Sequence, residues 1–332
     1  MLMPPTLLLT RTEIERLLPS DAYIDLMERA FARRADRETL PSRLAHLDSE
    51  SGEFHIKASG LRDADSTVVA VKIGACFYDR PARLGLPSIV GVIALFSGDD
   101  GQPLALMESA TVTRLRTAAA TAVAARHLAL HDAGTLALCG AGEQAAAHVD
   151  ALLAVRPLRR ILVWSRDQKR AAAFAADLAD RYAVEASAVA EPGQAIRASQ
   201  IVVTLTPAHE PYADRRDVAP GTFIAAVGSD APDKQELHAE LMKDSAVIVD
   251  VLHQCAEVGE LHHAIEAGAL TADDVRAELG EVITGVRPGR LSPEEIIVFD
   301  STGTAVQDVA AAQAIYEAAR EHSAGRPLPL WD

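Results

Sequence analysis

A glycine-rich turn lies between a strand-length apolar run and an alanine-rich segment of helical pattern. The apolar run is Thr135 to Cys139, and the turn after it reads Gly140, Ala141, Gly142, Glu143, Gln144, Ala145. Gly140 suits a tight turn, Gly142 lets the backbone approach a pyrophosphate, and Ala145 lets helix and strand pack closely. Free N–H groups and the macrodipole at the helix start favour phosphate groups. The pattern predicts dinucleotide binding; an ordinary glycine-rich loop is the alternative.

The next strand-like run ends without an acidic residue at its tip. An acid at this place, roughly 20 residues beyond the glycines, would bind the ribose 2′-hydroxyl of NAD. Here Ser165 and Arg166 follow the run, and Lys169 stands just beyond Asp167. These groups would accept and neutralise a 2′-phosphate, so we expect NADP(H) to be preferred and NAD(H) to be possible. Alternatively, Arg166 is a solvated loop residue and Asp167 only caps the next helix.

Two cationic residues stand among apolar neighbours. Lys72 lies in a β-type run, and Arg116 is expected at the start of an alanine-rich helix. Burying either one without an anion is costly. A substrate carboxylate would suit both, because Arg116 can bind it with two hydrogen bonds and Lys72 can act as a point charge. Arg43 is a weaker candidate of the same kind, and a structural salt bridge to an acidic residue is the alternative.

Asp230 follows the apolar run that ends at Val227 and Gly228. In open α/β sheets the carboxyl ends of strands face the ligand crevice, so a carboxylate there can reach a bound substrate. Burial beside a nicotinamide would raise its pKa and suit it to proton transfer. The alternative is that Asp230 caps a helix that follows Pro232 and begins near Lys234.

His55 and Lys57 alternate with Phe54 and Ile56, so both are predicted to face one side of a strand. That side is either solvent or a substrate cleft. Among the histidines, the spacing closest to a metal site is His262 with Glu266, which offers too few ligands without a third partner. We therefore predict no metal.

Two patterns of secondary structure position these residues. Apolar spacing from Thr10 to Arg37 predicts two helices, and β-type runs over residues 41–100 predict a small separate sheet. A long helix is expected from Glu108 to His131. Beyond Gly142, strands and helices alternate, which implies a parallel, doubly wound sheet. A last strand at 296–300 precedes a helix from Ala305 to His322, which is expected to pack back on the first domain.

Composition excludes several classes of function. The chain has 332 residues and a formal net charge of -15, with no basic stripe for a nucleic-acid backbone. No apolar run reaches membrane-spanning length, and the start lacks a signal-peptide pattern, so we expect no membrane partner and a cytoplasmic location. The three cysteines stand singly, which indicates packing residues.

Several blocks, taken together and in order, resemble the ornithine cyclodeaminase/μ-crystallin family over nearly the whole chain. They are Lys72, Thr113-x-x-Arg116-Thr117, Gly140-x-Gly142-x-Gln144-Ala145, Gly228-Ser229-Asp230-Ala231-Pro232-x-Lys234-x-Glu236-Leu237, Asp250-x-x-x-Gln254, Gly259-Glu260 and Asp300-Ser301-Thr302-Gly303-x-Ala305-x-Gln307-Asp308. The resemblance implies a homodimer, an active site between two domains, and a substrate carboxylate held by Arg43, Lys72 and Arg116. It also implies that Asp230 acts as acid or base on the substrate nitrogen.

The implied fold is a Rossmann-type doubly wound sheet over 119–305 plus a discontinuous α+β dimerisation and substrate domain, 1–118 with 306–332. Catalytic roles are expected for Asp230, Lys72 and Arg116, and His55 and Lys57 are expected to help bind substrate. Further residues expected to bind the cofactor are Ser88, Thr117, Thr204, Thr206, Val227, Gly228, Ser229 and Gly303.

The family resemblance leaves several activities open. Its members include ornithine and lysine cyclodeaminases, alanine dehydrogenases, cyclic ketimine reductases and μ-crystallin, which binds thyroid hormone. Cyclodeaminases carry a glutamate near the position of His55 to Lys57 and an aspartate at the ribose site, and this chain shows neither, although Glu53 is close by. We therefore expect an NAD(P)H-dependent reductase of cyclic ketimines that makes proline or pipecolate. A cyclodeaminase, an amino-acid dehydrogenase and a non-enzymatic ligand-binding protein are the alternatives.

Overall fold

The computed structural model describes residues 5–330, which form two compact units. One unit combines the residues up to Arg116 with those from Thr304 onward, and the other comprises Thr117–Gly303. The first is therefore built from two separate stretches of the chain, and the second from one.

The elements of the first stretch are β1 (Thr6–Leu9), α1 (Arg11–Leu17), α2 (Ala22–Ala35), β2 (Arg43–Ser49), β3 (Gly52–Arg62), β4 (Thr67–Cys76), α3 (Arg80–Leu84), β5 (Ile89–Ser97) and β6 (Pro103–Glu108). The chain then continues through α4 (Ser109–Leu128), β7 (Thr135–Cys139), α5 (Glu143–Leu153), β8 (Arg160–Trp164), α6 (Gln168–Arg181), β9 (Glu185–Ala188), α7 (Pro192–Arg197), β10 (Ile201–Thr204) and β11 (Phe223–Ala226). It ends with α8 (Ala239–Lys243), β12 (Ala246–Val249), α9 (Leu252–Val258), α10 (Glu260–Glu266), β13 (Ala277–Glu278), α11 (Leu279–Ile283), β14 (Ile297–Asp300), α12 (Ala305–Glu321) and β15 (Arg326–Leu328).

A seven-stranded mixed sheet forms the centre of the first unit, in the order β15-β1-β6-β5-β4-β3-β2. Its strands pair antiparallel except for β1 with β6. Helix α12 packs on β3, β4 and α2, so one face of the sheet is covered by the last helix of the chain. Helix α2 buries one helical stripe, which contains Ile24, Met27 and Phe31.

The second unit contains an eight-stranded parallel sheet in the order β13-β12-β14-β11-β10-β7-β8-β9. Its interior strands are continuous apolar runs, as expected for strands covered on both faces. The strand order runs outward in opposite directions from β7 and β10, and the crevice at the carboxyl ends of such a pair is where open α/β sheets bind ligands. These features confirm the predicted doubly wound α/β class.

One predicted helix does not exist where the sequence pattern placed it. The segment after Pro232 forms turns, and the helix begins at Ala239 instead of near Lys234. The carboxylate of Glu260 accepts hydrogen bonds from the backbone N–H groups of Glu236 and Leu237, at 2.7 and 3.2 Å. These bonds, together with the bridge between Ala213 and Leu237, hold residues 236 and 237 in a non-helical conformation. Asp230 is therefore not a helix cap, and that alternative was wrong.

None of the helices between residues 5 and 330 combines the length and the apolar character needed to cross a lipid bilayer.

Candidate functional site

Gly140 and Gly142 shape the turn between β7 and α5. Gly140 has φ of 125°, a conformation that favours glycine, and a Cβ there would lie 2.9 Å from the carbonyl oxygen of Leu205. Gly142 is the N-cap of α5, and a Cβ added to it would meet no protein atom within 4 Å. Ala145 is fully buried, so helix and strand lie close together. The turn leaves open space before the α5 N-terminus, an arrangement that fits a pyrophosphate.

The remaining predicted residues of this turn lie beside the same space. Ala141 is buried, and Glu143 and Gln144 occupy the first turn of α5. Thr204 ends β10 and is paired in register with Cys139, the last residue of β7. The predicted residues around the glycine turn therefore come together at the carboxyl ends of β7 and β10.

The loop after β8 carries the residues predicted to select the cofactor. Ser165 is half-buried, and Arg166 and Lys169 are exposed. The carboxylate of Asp167 accepts hydrogen bonds from the N–H groups of Lys169 and Arg170, at 3.0 and 3.1 Å. Asp167 is thus the N-cap of α6, as the alternative interpretation proposed, and its carboxylate serves the helix.

Glu236 joins the loops that follow β10 and β11. It is fully buried, and burial raises its pKa. One carboxylate oxygen accepts from the N–H and hydroxyl groups of Thr206, both at 2.7 Å, and from the Tyr212 hydroxyl at 2.8 Å. The other accepts from the N–H of Gly228 at 2.9 Å. The hydroxyl of Thr206, predicted to contact cofactor, is therefore already engaged by Glu236.

Gly228 has no room for a side chain. A Cβ there would lie 2.3 Å from the Thr206 carbonyl oxygen and 2.4 Å from the Glu236 carboxylate. Val227, directly before it, donates its N–H to the Thr204 carbonyl at 3.1 Å. The two loops are thus locked together by backbone contacts and one buried acid.

Asp230 lies after Ser229, half-exposed, and pairs with a buried lysine. The Nζ atom of Lys234 is 2.9 Å from an oxygen of Asp230, and the Ser229 hydroxyl donates to the Lys234 carbonyl. The Lys234 side chain is 4% exposed, whereas that of Asp230 is 42% exposed. The Asp230 carboxylate is therefore held by a buried ammonium group and is partly exposed to solvent.

Asp250 fixes Gly303, the last predicted cofactor residue of the second unit. Its carboxylate accepts from the N–H of Gly303 at 2.7 Å and from the hydroxyl of Thr302 at 3.0 Å. The side-chain amide of Gln254 donates to the Thr302 hydroxyl and to the Gly303 carbonyl. Gly303 has φ of 75°, which this network stabilises.

A buried ion cluster in the first unit contains two of the three predicted carboxylate-binding cations, Lys72 and Arg116. The Nζ atom of Lys72 lies 2.7 Å from one oxygen of Asp308, and the Nε atom of Arg116 lies 3.1 Å from the other. Arg116 also donates to the side-chain oxygen of Gln307 at 2.9 Å. Helix α4 begins at Ser109, so Arg116 lies within the helix and not at its start. The salt bridge to an acidic residue, offered above as the alternative, is what the structure shows.

Lys57 completes this cluster from the neighbouring strand. It is paired directly with Lys72 across β3 and β4, so both side chains are on one face of the sheet. The pKa of Lys72 is lowered to about 7, chiefly by burial; the charge of Asp308 opposes this shift, and the charges of Arg116 and Lys57 add to it. Burial opposes ionisation of Asp308, but Lys72 and Arg116 outweigh it and hold its pKa below the usual range.

Three predicted residues are not part of this cluster. Arg43 is exposed and is paired with Ala58, which places it on the opposite face of the sheet from Lys57. Ser88 directly precedes β5 and accepts the N–H of Phe77 through its carbonyl. Thr117 lies in α4 and is the first residue of the second unit.

His55 shares the face of β3 with Lys57, as predicted, and contacts Glu53. Its Nε2 atom is 3.3 Å from one oxygen of Glu53, and the Nε2 atom of His46 is 3.5 Å from the other. Glu53, near the position where cyclodeaminases carry a glutamate, is thus flanked by two imidazoles.

The sequence identified neither Asp308 nor Glu236 as an organiser of the site. Both residues stand within the family blocks, but each acts on groups far away in the chain: Asp308 on Lys72, and Glu236 on Thr206. The need of Lys72 and Arg116 for an anion was apparent from their apolar surroundings. Which of the many acids would supply it depends on the packing of α12.

Comparison with known proteins supports the family resemblance over nearly the whole chain. The family model described as "Ornithine cyclodeaminase/mu-crystallin family" matches residues 5–323. The chain is 37% identical over 248 residues to Δ1-pyrroline-2-carboxylate reductase of Bacillus cereus, covering 74% of this chain and 76% of the relative.

Two solved structures have the same fold. The Δ1-pyrroline-2-carboxylate reductase of Thermococcus litoralis, in complex with NADH and L-proline, has a TM-score of 0.92 and 31% identity, covering 97% of this chain and 100% of the other. An archaeal alanine dehydrogenase dimer with bound NAD also has a TM-score of 0.92, with 34% identity and coverage of 98% and 99%. This chain therefore belongs to the ornithine cyclodeaminase/mu-crystallin family.

Proposed function

We propose that this protein is an NAD(P)H-dependent reductase that converts Δ1-pyrroline-2-carboxylate to L-proline and accepts the six-membered analogue that yields L-pipecolate. That the chain is an oxidoreductase using a nicotinamide nucleotide follows from its family and relatives; the substrate and direction are the proposal. The observation that carries it is the buried group of Lys57, Lys72 and Arg116, each at most 8% exposed, gathered around the carboxylate of Asp308.

Lys72 and Arg116 are proposed to bind the substrate carboxylate. Asp308 and Gln307 contact the Nε and Nη1 atoms of Arg116, which orients the planar guanidinium group. Carboxylate recognition by arginine depends on such a fixed plane, because two parallel hydrogen bonds must form at once. Lys72 would add a point charge at the same place. Neither Arg43 nor His55 is included in this role, since the first is on the other sheet face and the second contacts Glu53.

The cofactor is proposed to occupy the turn at Gly140 and Gly142, with its pyrophosphate on the N-terminus of α5. When bound, it supplies the hydride that reduces the imine carbon. The chain's contribution to that step would be positioning: residues that hold the substrate by its carboxylate would restrict the orientation of the imine carbon, and such orientation accounts for much of a rate enhancement.

Asp230 is proposed to keep the imine nitrogen protonated. A protonated imine is the better hydride acceptor, and the product amine retains that proton. Asp230 suits the role because its side chain is 42% exposed while Lys234 fixes its carboxylate. An acid positioned at the reacting nitrogen contributes about 100- to 10,000-fold to such reactions.

The charge around Lys57 favours reduction over cyclodeamination. A cyclodeaminase must bind a diamine. Lys57 is a second buried cation on the sheet face that carries Lys72, and it would repel the distal ammonium group of the diamine. The nearby acid, Glu53, is already flanked by His46 and His55. A ring imine has no distal ammonium group and avoids the repulsion.

NADPH is proposed as the preferred reductant, with NADH also used. Ser165, Arg166 and Lys169 offer a hydroxyl and two cations to a 2′-phosphate, and Asp167, the acid nearest to them in the sequence, caps α6. The same loop places no carboxylate at the strand tip where a 2′-hydroxyl would be bound.

A homodimer is proposed on the basis of an apolar sheet face in the first unit. Leu47, Ile73 and Val92 are on one face of β2, β4 and β5, and they are 57%, 41% and 40% exposed. Exposed apolar surfaces of this kind mark protein–protein contacts.

The test follows the absorbance of the reduced nicotinamide with NADPH or NADH, after addition of Δ1-pyrroline-2-carboxylate, Δ1-piperideine-2-carboxylate or ornithine. We expect rapid loss of absorbance with both ring imines, faster with NADPH. Ammonia release from ornithine at constant absorbance, with no reaction of either imine, would establish a cyclodeaminase and overturn the proposal.

A further inference from the structure

Four potential metal ligands come together on the hairpin of β2 and β3. The register pairs His46 with His55 and Asp48 with Glu53 across the two strands. Directly opposed residues share a face, and residues two apart along a strand do so as well, so all four side chains project from the same side. The sequence spacing gave no sign of this group, because its members are brought together by strand pairing.

The donor atoms converge closely. The Nε2 atoms of His46 and His55 lie 3.5 and 3.3 Å from the two oxygens of Glu53. One ligand atom from each of these three residues lies within 4.8 Å of the other two. The two imidazole rings meet edge to face with centroids 4.7 Å apart. Asp48 adds an oxygen 2.8 Å from the Nε2 atom of His46.

These separations match those of ligands around a small divalent ion. Zinc binds imidazole nitrogen at about 2.0–2.1 Å and carboxylate oxygen at about 2.0–2.2 Å, so neighbouring tetrahedral ligands lie roughly 3.3–3.5 Å apart. Two imidazoles and one carboxylate are a ligand set used for zinc and other divalent transition metals. Calcium and magnesium prefer oxygen ligands and suit this set poorly.

We propose that His46, Glu53 and His55 bind one divalent transition-metal ion of the Zn²⁺ class, with Asp48 as an additional oxygen ligand. The site is distinct from the ion cluster of Lys72, Arg116 and Asp308. It does not depend on the proposed reductase activity, because binding is measured without substrate or cofactor.

Calorimetric titration of the chelator-treated full-length protein with ZnCl₂ tests the proposal, together with visible absorption of bound Co²⁺. We expect saturable binding of one ion per chain through this group. His46→Gln, Glu53→Gln and His55→Gln should each lower the affinity at least about 100-fold, since residues that merely orient a metal ligand are already worth about 10- to 100-fold. Asp48→Asn should have a smaller effect, because its side chain is 84% exposed.

Two controls locate the ion. His131→Gln changes an exposed histidine elsewhere and should leave the affinity unchanged. His262→Gln removes a member of the second group with suitable donors, His262, His263 and Glu266. Loss of binding with His262→Gln but not with His46→Gln would assign the ion to α10 and overturn the proposal. So would the absence of saturable Zn²⁺ binding, or unchanged affinity in a His46→Gln protein with an unaltered thermal unfolding curve.

Discussion

Asp230 combines a partly exposed carboxylate with a buried ammonium partner, Lys234. We expect Asp230→Asn to lower turnover about 100-fold or more, since an amide cannot supply the proton that the imine nitrogen requires. Binding of NADPH, measured by fluorescence titration, should be unchanged because the glycine turn and the loop after β8 are untouched.

Asp180→Asn is a suitable control, since it makes the same chemical change at an exposed carboxylate of α6 that has no proposed role in catalysis or cofactor binding. Turnover of Asp230→Asn within a few-fold of the unmodified protein would remove Asp230 from the mechanism.

Asp308 is the shared counter-ion of Lys72 and Arg116, and all three residues are buried. Asp308→Asn leaves two buried cations without that charge, so we expect the free energy of unfolding to fall by about 3–5 kcal/mol. Urea denaturation measures the change. Glu321→Gln, at the exposed end of the same helix, should alter stability by less than about 0.5 kcal/mol. Equal effects of the two changes would contradict the assigned role of Asp308.

Burial lowers the pKa of Lys72 to about 7, so the proposed binding of a substrate carboxylate should depend on pH. The proposal requires the protonated form, so kcat/KM should be constant below pH 7 and fall roughly tenfold per pH unit above it. The pH profile of kcat/KM from pH 6 to 9 measures this decline. Lys72→Arg keeps its charge throughout that range, so the variant, though less active, should lose the decline attributed to Lys72. An identical decline in both proteins would assign it to another group.

At the scale of elements, Gly142 and Gly228 have opposite surroundings. A side chain at Gly142 would meet no protein atom, whereas one at Gly228 would overlap Thr206 and Glu236. We expect Gly142→Ala to leave thermal unfolding unchanged and to weaken NADPH binding about tenfold or more, because its methyl group enters the proposed phosphate space. Gly228→Ala should lower stability by about 1–3 kcal/mol. Each variant is the control for the other, since both add one methyl group to a glycine. A lower unfolding temperature of the Gly142→Ala protein would contradict the open space inferred at the turn.

Local patterns predicted most of the elements. The two N-terminal helices, the β-type runs, the strand–turn–helix at Gly140 and the final helix are all confirmed. The prediction after Pro232 was wrong because the bonds from Glu260 that hold this segment in a non-helical conformation join residues more than 20 positions apart. No local pattern carries that information. For the same reason the sequence indicated that Lys72 needs an anion but not that Asp308 provides it.

At the scale of the whole molecule, the exposed apolar face of β2 to β5 is the basis of the proposed homodimer. Ile73→Glu places a charge at the centre of that face, so we expect it to convert a dimer, with twice the 35.3 kDa chain mass, into a monomer. Light scattering coupled to size-exclusion chromatography measures the mass. Val286→Glu, at an exposed apolar residue of the second unit, should leave it unchanged. A monomeric unmodified protein would contradict the proposed assembly.

The family resemblance, which was based on scattered residue blocks, is confirmed by the match over residues 5–323. The blocks could predict the family because they contain the residues that the fold fixes most tightly, such as Gly228 between two loops. They could not predict the pairing of His46 with His55, since that depends on the register of one hairpin.

The first unit is closed by the end of the chain: β15 pairs with β1, and α12 brings Asp308 to Lys72 and Arg116. During synthesis, the two cations leave the ribosome long before the carboxylate that neutralises them. The second unit is continuous and can complete its sheet first, as domains generally fold as units while the chain emerges. The first unit must wait for α12 and β15, and its closure requires contacts of high sequence separation, which form slowly. We therefore expect the nascent chain to expose an incomplete, apolar β-sheet until these two elements have emerged, a state in which it depends on protection from aggregation.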